Sequence, residues 1–421
     1  MSSRPGKGRL ILASLLAIPL ALLSGAHALS SASLRNAPEL ALAVYPFNGL
    51  AKEKVAYNAL VANISNAAGT TGQASRDADP SGGESTLRSR IGEADLARFA
   101  SAAADPAREA IRREPLSARA FVILALSEQN AQQKDMIVRQ ASRLTRRDIA
   151  LQALVLEQKG KVRDYPGVIG TLDEILRVHP QRQGEFFPLL VEALRTKATV
   201  PEFANLLARP LPWKDSFLNF ALADEQALEN LAAVRERMVT ANEDFDRKIV
   251  AKLASSGQLE SAERIYRRVG GAAVSGAKPA QVSWQSTYPP FDWQLADQPG
   301  FRARIGDTPS VLEIDVEPGN GGVIVSRLVS NPQRQFTLRL VHDIQPASQL
   351  KDMKLTIACH GQAAPFLERA FVAGEISLSV DQPPACEYLD IAITARAWTD
   401  SRALAGTLSP LRISSAAPQP E

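Results

Sequence analysis

The sequence predicts a multidomain α plus β protein, an α-helical solenoid followed by an antiparallel β-sandwich of jelly-roll type. Three observations predict it. From Ala37 to about Val274 alanine and leucine dominate, and apolar residues recur at the three- and four-residue spacing of a helix face. Beyond about residue 276 that spacing gives way to short alternating runs separated by Gly- and Pro-rich turns. Ahead of both, residues 1–28 have the makeup of an export segment.

In that segment Arg4, Lys7 and Arg9 stand without an acidic residue, and the apolar run Leu10 to Leu23 follows. It closes on Ala26-His27-Ala28, the order of a secretory signal with cleavage after Ala28. Extended to Leu29, the run reaches the roughly 20 residues that span a bilayer, so an uncleaved membrane anchor is the alternative. Either way the bulk of the chain lies outside the cytoplasm. Without residues 1–28 the 48 basic residues fall to 45, equal to the 45 acidic ones. Nucleic-acid binding needs a basic excess or stripe, and this balance excludes it as a partner class. Residues 29–280 carry 34 basic and 30 acidic residues, and residues 281–421 carry 11 and 15, a mild complementarity between the two parts.

The helical domain is predicted over 29–275, with a loop at 66–85 where Gly, Ser, Thr and Asp offer little to bury. Its helices come in pairs. After Gly257, Leu259, Ala262, Tyr266 and Val269 share one face, small Ala262 admitting a neighbouring helix and Tyr266 filling the next groove. Tyr165, Val168, Leu172 and Ile175 repeat the plan before the stop at Pro180, as do Ala103, Ala107 and Ala110 before Pro115. These positions resemble tetratricopeptide repeats, helix pairs of 34 residues. The Trp, Leu, Gly and Tyr signature of the first helix is poorly kept, so a generic α-solenoid is the alternative. The resemblance implies three to five helix pairs with a concave face for protein partners.

The sandwich is predicted over 281–415, past a hinge at Gly270-Gly271 and Ser275 to Pro279. Its strands are Gly300–Arg304, Val311–Val316, Val323–Val329, Gln335–Val341, Met353–Cys359, Glu375–Val380 and Glu387–Ala395. The only cysteines, Cys359 and Cys386, fall at strand ends, and an even count in an exported chain favours one disulfide. The bridge would close a loop of 26 residues and contribute on the order of 3 kcal/mol. The segment Tyr288 to Leu295, YPPFDWQL, together with these cysteines, resembles the C-terminal domain of exported bacterial repeat proteins associated with exopolysaccharide or capsule production. That resemblance implies a lectin-like jelly roll in the periplasm, soluble or anchored to the inner membrane. It also implies protein partners of an envelope assembly and work in polysaccharide assembly or export.

Little in the chain suggests catalysis. The four histidines have no metal-ligand spacing, and no nucleophile elbow, phosphate loop or dinucleotide fingerprint is present. The expectation is a non-enzyme with no cofactor and no metal. Glu313, Asp315 and Glu317 alternate along one strand and read as its solvated face more readily than as a calcium site. Trp284, Tyr288, Phe291 and Trp293 cluster within ten residues, either as packing between domains or as a platform for sugar rings, with Asp292 capping a turn or bonding a sugar hydroxyl. Arg139, Arg143, Arg146 and Arg147 are spaced for one side of a helix, a solvated face or a site for an acidic partner. The functional expectation is a scaffold or adaptor, with a carbohydrate-binding protein acting through the sandwich as the alternative. A glycan-processing enzyme using two carboxylates is the third reading.

Overall fold

The computed structural model describes residues 7–72, 92–239, 242–270, 280–307 and 310–415. It is helical up to Arg268 and antiparallel β from Ala280 onward. The chain forms two compact units, Met1–Phe186 and Phe187–Glu421. Composition marks only the change from helix to strand. The division between units falls earlier, so the last helices share a unit with the sheets.

In the first unit the helices are α1 (Lys7–Ser33), α2 (Pro38–Val44), α3 (Gly49–Gly72), α4 (Glu93–Ala102), α5 (Ala104–Arg113), α6 (Ala118–Ser127), α7 (Ala131–Leu144), α8 (Ile149–Lys161) and α9 (Tyr165–Val178). Side-chain caps set several starts. Asn130 accepts the N–H groups of Gln132 and Gln133, Asp148 that of Leu151, and Asp164 that of Gly167. Alanines let the helices approach: Ala100, Ala103, Ala107, Ala110 and Ala120 are buried in one cluster with Leu60 and Ile123. The other side of α6 sends Val122 and Ala125 into a second cluster with Val138, Ala141, Leu151 and Leu154. One helix thus serves two layers, the packing logic of a solenoid.

One expectation needs adjustment here. Residues 66–72 of the expected loop continue α3, because Ala67 and Ala68 extend a helix at little cost, and 73–85 lie outside the described residues. Most of the Leu10–Leu23 run also falls where side chains are not described. Where they are, Leu20, Leu22, Leu23 and Leu29 are each more than half exposed. Packing begins abruptly at Ser30, which is fully buried, donates to Ala41 O at 2.8 Å and accepts from Asn48 Nδ2 at 2.8 Å. Among the described residues no helix is long and apolar enough to cross a membrane.

The unit boundary falls inside α10 (Gln183–Leu194), and the second unit goes on through α11 (Val200–Leu207), α12 (Lys214–Ala221), α13 (Leu228–Arg237), α14 (Glu243–Ser255) and α15 (Leu259–Arg268). Phe187, Phe203, Trp213 and Phe217 form its aromatic centre, with ring centroids 5.6–6.4 Å apart. Gly257 ends α14 at φ +76°, a conformation that glycine adopts without strain, and Gln258 N–H closes the turn on Leu253 O at 2.9 Å. Beyond it Ala262 and Tyr266 are buried on the expected face of α15. The expected hinge lies, apart from Gly270, outside the described residues.

The strands are β1 (Ala280–Val282), β2 (Gln294–Leu295), β3 (Asp297–Gln298), β4 (Phe301–Ile305), β5 (Leu312–Val316), β6 (Gly321–Ser330), β7 (Phe336–Gln345), β8 (Lys354–Cys359), β9 (Leu367–Ala370), β10 (Glu375–Val380), β11 (Tyr388–Arg396), β12 (Leu404–Leu408) and β13 (Leu411–Ser415). They build an eight-stranded sheet in the order β1-β13-β7-β12-β5-β4-β3, with β10 also on β7, and a five-stranded sheet β2-β6-β11-β8-β9. Every pairing is antiparallel. Inward residues of both sheets, among them Ile314 and Leu338 from one and Leu355 and Ile391 from the other, share a single core, as a sandwich requires. All seven expected strands are present within a few residues of their predicted ends, and Cys359 and Cys386 are bridged, with Cα atoms 5.9 Å apart.

Candidate functional site

The first unit carries an open groove with a volume of about 830 Å³. Glu93, Leu96 and Arg98 of α4 form one wall, Leu126 and the following Glu128 the next, and Lys134 of α7 with Leu154 and Glu157 of α8 the third. Four helices of successive hairpins thus supply a single surface, which is what stacked repeats offer a partner. On this lining Lys134 Nζ lies 3.6 Å from both Glu93 Oε1 and Glu157 Oε1. Glu157 also takes a hydrogen bond from Lys161 at 2.7 Å, and that bond holds the Lys161 ammonium above the ordinary lysine range. Leucines with a lysine and three glutamates suit a segment that is part apolar and part charged. Lys134 lies within 3.6 Å of both carboxylates and offsets the charge of each.

The aromatic segment of the sandwich faces inward. Trp284, Phe291, Asp292 and Trp293 are each at most 3% exposed, and only Tyr288 is half-buried. Trp284 and Trp293 pack together in the sandwich core. Phe291 stacks on Tyr266 of α15 with centroids 5.4 Å apart, and Tyr288 meets the same ring edge-on. Of the two readings of this cluster, packing is the one these side chains adopt. Asp292 caps its own turn, accepting Tyr288 N–H at 3.0 Å on one oxygen and Tyr266 O–H at 2.8 Å on the other. Arg327 Nη2 donates to the Tyr266 oxygen at 3.2 Å, and its guanidinium lies 5.9 Å from the Trp293 ring. Burial pushes the Tyr266 phenol well above its ordinary range and draws the Arg327 guanidinium below its own. Beside this chain Glu263 of α15 accepts from Tyr388 O–H at 3.1 Å and from the Ser330 hydroxyl. Helix and sheet are therefore joined by a desolvated polar seam.

Arg139 and Arg143 are exposed on α7, but Arg146 and Arg147 are not on that helix, which ends at Leu144 with its cap at Thr145. Arg146 pairs with Glu174 at 2.7 Å, the Arg147 carbonyl meets His179 Nε2 at 3.0 Å, and none of the four arginines lines the groove. The turn signal Thr145-Arg146-Arg147-Asp148, with Asp148 as a helix cap, outweighs the spacing of the charges. On β5, Leu312, Ile314 and Val316 are buried while Glu313 and Asp315 are exposed, opposite Arg304 and Arg302 of β4. Among the described residues no group of three His, Cys, Asp or Glu is placed to hold a metal ion. His360 Nδ1 lies 3.0–3.1 Å from both Asp390 oxygens on the surface, and no hydroxyl or thiol is bonded to that ring among the described residues.

Sequence reading missed Lys134, Glu93, Glu157, Glu263, Arg327 and Tyr388. Glu157 and Glu263 carry a local signal, their four-residue spacing to Lys161 and Arg267. The rest meet across long sequence separations. No protein-family model matches this chain, and no curated protein matches it.

Proposed function

We propose that this protein is a non-catalytic exported adaptor in polysaccharide assembly and export, and that its helical repeats hold a protein partner. The observation that carries the adaptor reading is the groove of α4, α6, α7 and α8, with Lys134 between two glutamates and leucines on three sides. Export is supported by the makeup of residues 1–28 and by the Cys359–Cys386 bridge, a bond that persists in oxidising compartments. The polysaccharide setting rests on the resemblance of the 288–295 segment and the strand-end cysteines. A photo-crosslinker placed at Gln129, which lines the groove, should trap one envelope protein in the producing cell. The same group at Gln140, exposed on α7 away from the groove, should not, and Lys134→Glu should abolish the product. Equal labelling from both positions would remove the groove from the account.

A further inference from the structure

Of the four tryptophans, Trp213, Trp284 and Trp293 are fully buried, and Trp398 is 51% exposed. Its backbone is nonetheless held on both sides. Ala397 N–H donates to Asn320 O at 3.0 Å, and Gly319 N–H donates to Ala397 O at 2.8 Å. Ser401 N–H donates to the Trp398 carbonyl at 2.9 Å, and the Ser401 hydroxyl lies 2.9 Å from Oε1 of buried Gln349. A single exposed ring needs no explanation, but Trp398 shares its face with Val323, which is also half exposed, and its loop is pinned.

The ring stands at one end of the outer face of the five-stranded sheet. Along β11, Ile393, Ala395 and Ala397 are buried in the core, so Ala392, Thr394 and Arg396 alternate outward. Thr394 pairs with Val323 of β6 and Lys354 of β8, and Ala392 pairs with Thr356, which places these side chains on the same face. Arg396 lies over Trp398, its guanidinium carbon 4.4 Å from the ring centroid, and makes no ion pair among the described residues. Lys354 bonds Glu368 at 3.1 Å. Adjacent positions here are about 5 Å apart across strands and about 7 Å apart along one.

We propose that this face binds an anionic polysaccharide of the uronic-acid class. The apolar C–H face of a pyranose would pack on Trp398 and Val323. A sugar carboxylate would take the free N–H edge of Arg396 and the Lys354 ammonium, and Thr394 and Thr356 would meet ring hydroxyls. A protein-binding patch would instead carry an apolar, charge-depleted centre; this one carries hydroxyls, small residues and the Arg396 cation, with Lys354 already held by Glu368, which pairs with Thr356 on the same face. No residue of the helical groove is involved, so this proposal and the adaptor reading can fail separately.

The test uses the full oxidised chain in affinity electrophoresis and tryptophan-fluorescence titration against polygalacturonate, alginate and neutral dextran. We expect saturable binding to at least one uronic-acid polymer and none to dextran. Trp398→Ala should weaken it tenfold or more, Trp398→Tyr should retain part of it, and Arg396→Gln should weaken it while leaving the unfolding temperature within about 2 °C of wild type, as suits exposed positions. Binding to neither acidic polymer, equal binding to dextran, or binding that survives both Trp398→Ala and Arg396→Gln would overturn the proposal.

Discussion

Lys134 and Arg327 are each flanked by groups that answer their charge, one in an open groove and the other under aromatic rings. Lys134 is mostly covered but meets two glutamates at 3.6 Å along a groove, where water reaches the exposed Glu93 carboxylate and leaves it accessible to another chain. Arg327 is 5% exposed and reaches Asp292 through the Tyr266 hydroxyl, with Trp293 and Phe291 packed around the chain. A charge so desolvated is costly to leave unpaired, so its partners specify how α15 meets the sheet. The same residue types thus serve recognition where water enters and architecture where it does not.

The largest effect should come from a second closed pair. Arg235 and Asp246, 4% and 2% exposed, are joined by two hydrogen bonds, with Arg235 also donating to Met238 O at 3.1 Å. Asp246→Ala strands a buried guanidinium and should cost about 3–5 kcal/mol in urea unfolding. A loss below about 1 kcal/mol would mean that water reaches this pair as it reaches Glu93, and the comparison would break.

A middling effect is expected from Tyr266→Phe, which removes the hydroxyl linking Arg327 to Asp292 and should cost about 1–3 kcal/mol. The variant also sharpens the comparison through pH. Burial raises the Tyr266 phenol above its ordinary value of 10.0, so the folded state holds that proton more tightly than the unfolded one. The resulting stability is fully present below about pH 10 and falls as pH rises toward the folded value. Unfolding midpoints between about pH 9 and 11 should therefore decline less steeply in the phenylalanine variant. Some slope should remain, because burial beside Glu263 raises Tyr388 in the same direction.

Lys134→Ala should have the smallest effect on stability, within about 1 kcal/mol, since both pairs are long at 3.6 Å and Glu93 is largely exposed, although Lys134 itself is mostly covered. That variant should still weaken the groove-specific crosslink at Gln129, which separates a binding role from a structural one.

The parts of this protein that were legible in advance are local. Gly257 and the run Leu259, Ala262, Tyr266 mark a helix and its buried face through backbone conformation and a 3.6-residue period. The alternation of Leu312, Ile314 and Val316 with acids marks a half-buried strand. The four arginines were misread because a cap at Asp148 and a helix end at Leu144 override charge spacing. Strands β12 and β13 were missed because Gly406, a Ser-Pro turn and short runs leave too little alternation to detect.

By itself, then, the sequence determined the two-part α plus β order, the helix faces, seven of the strands and the pair of cysteines at strand ends, all of which follow from period, caps and turn residues close along the chain. Only the tertiary structure decided which aromatic rings meet water and which acids meet cations. Those outcomes depend on neighbours far apart in sequence, such as Tyr388 and Glu263 at a separation of 125 residues. Burial sent Trp293 into the core and left Trp398 on the surface, a distinction that composition does not contain.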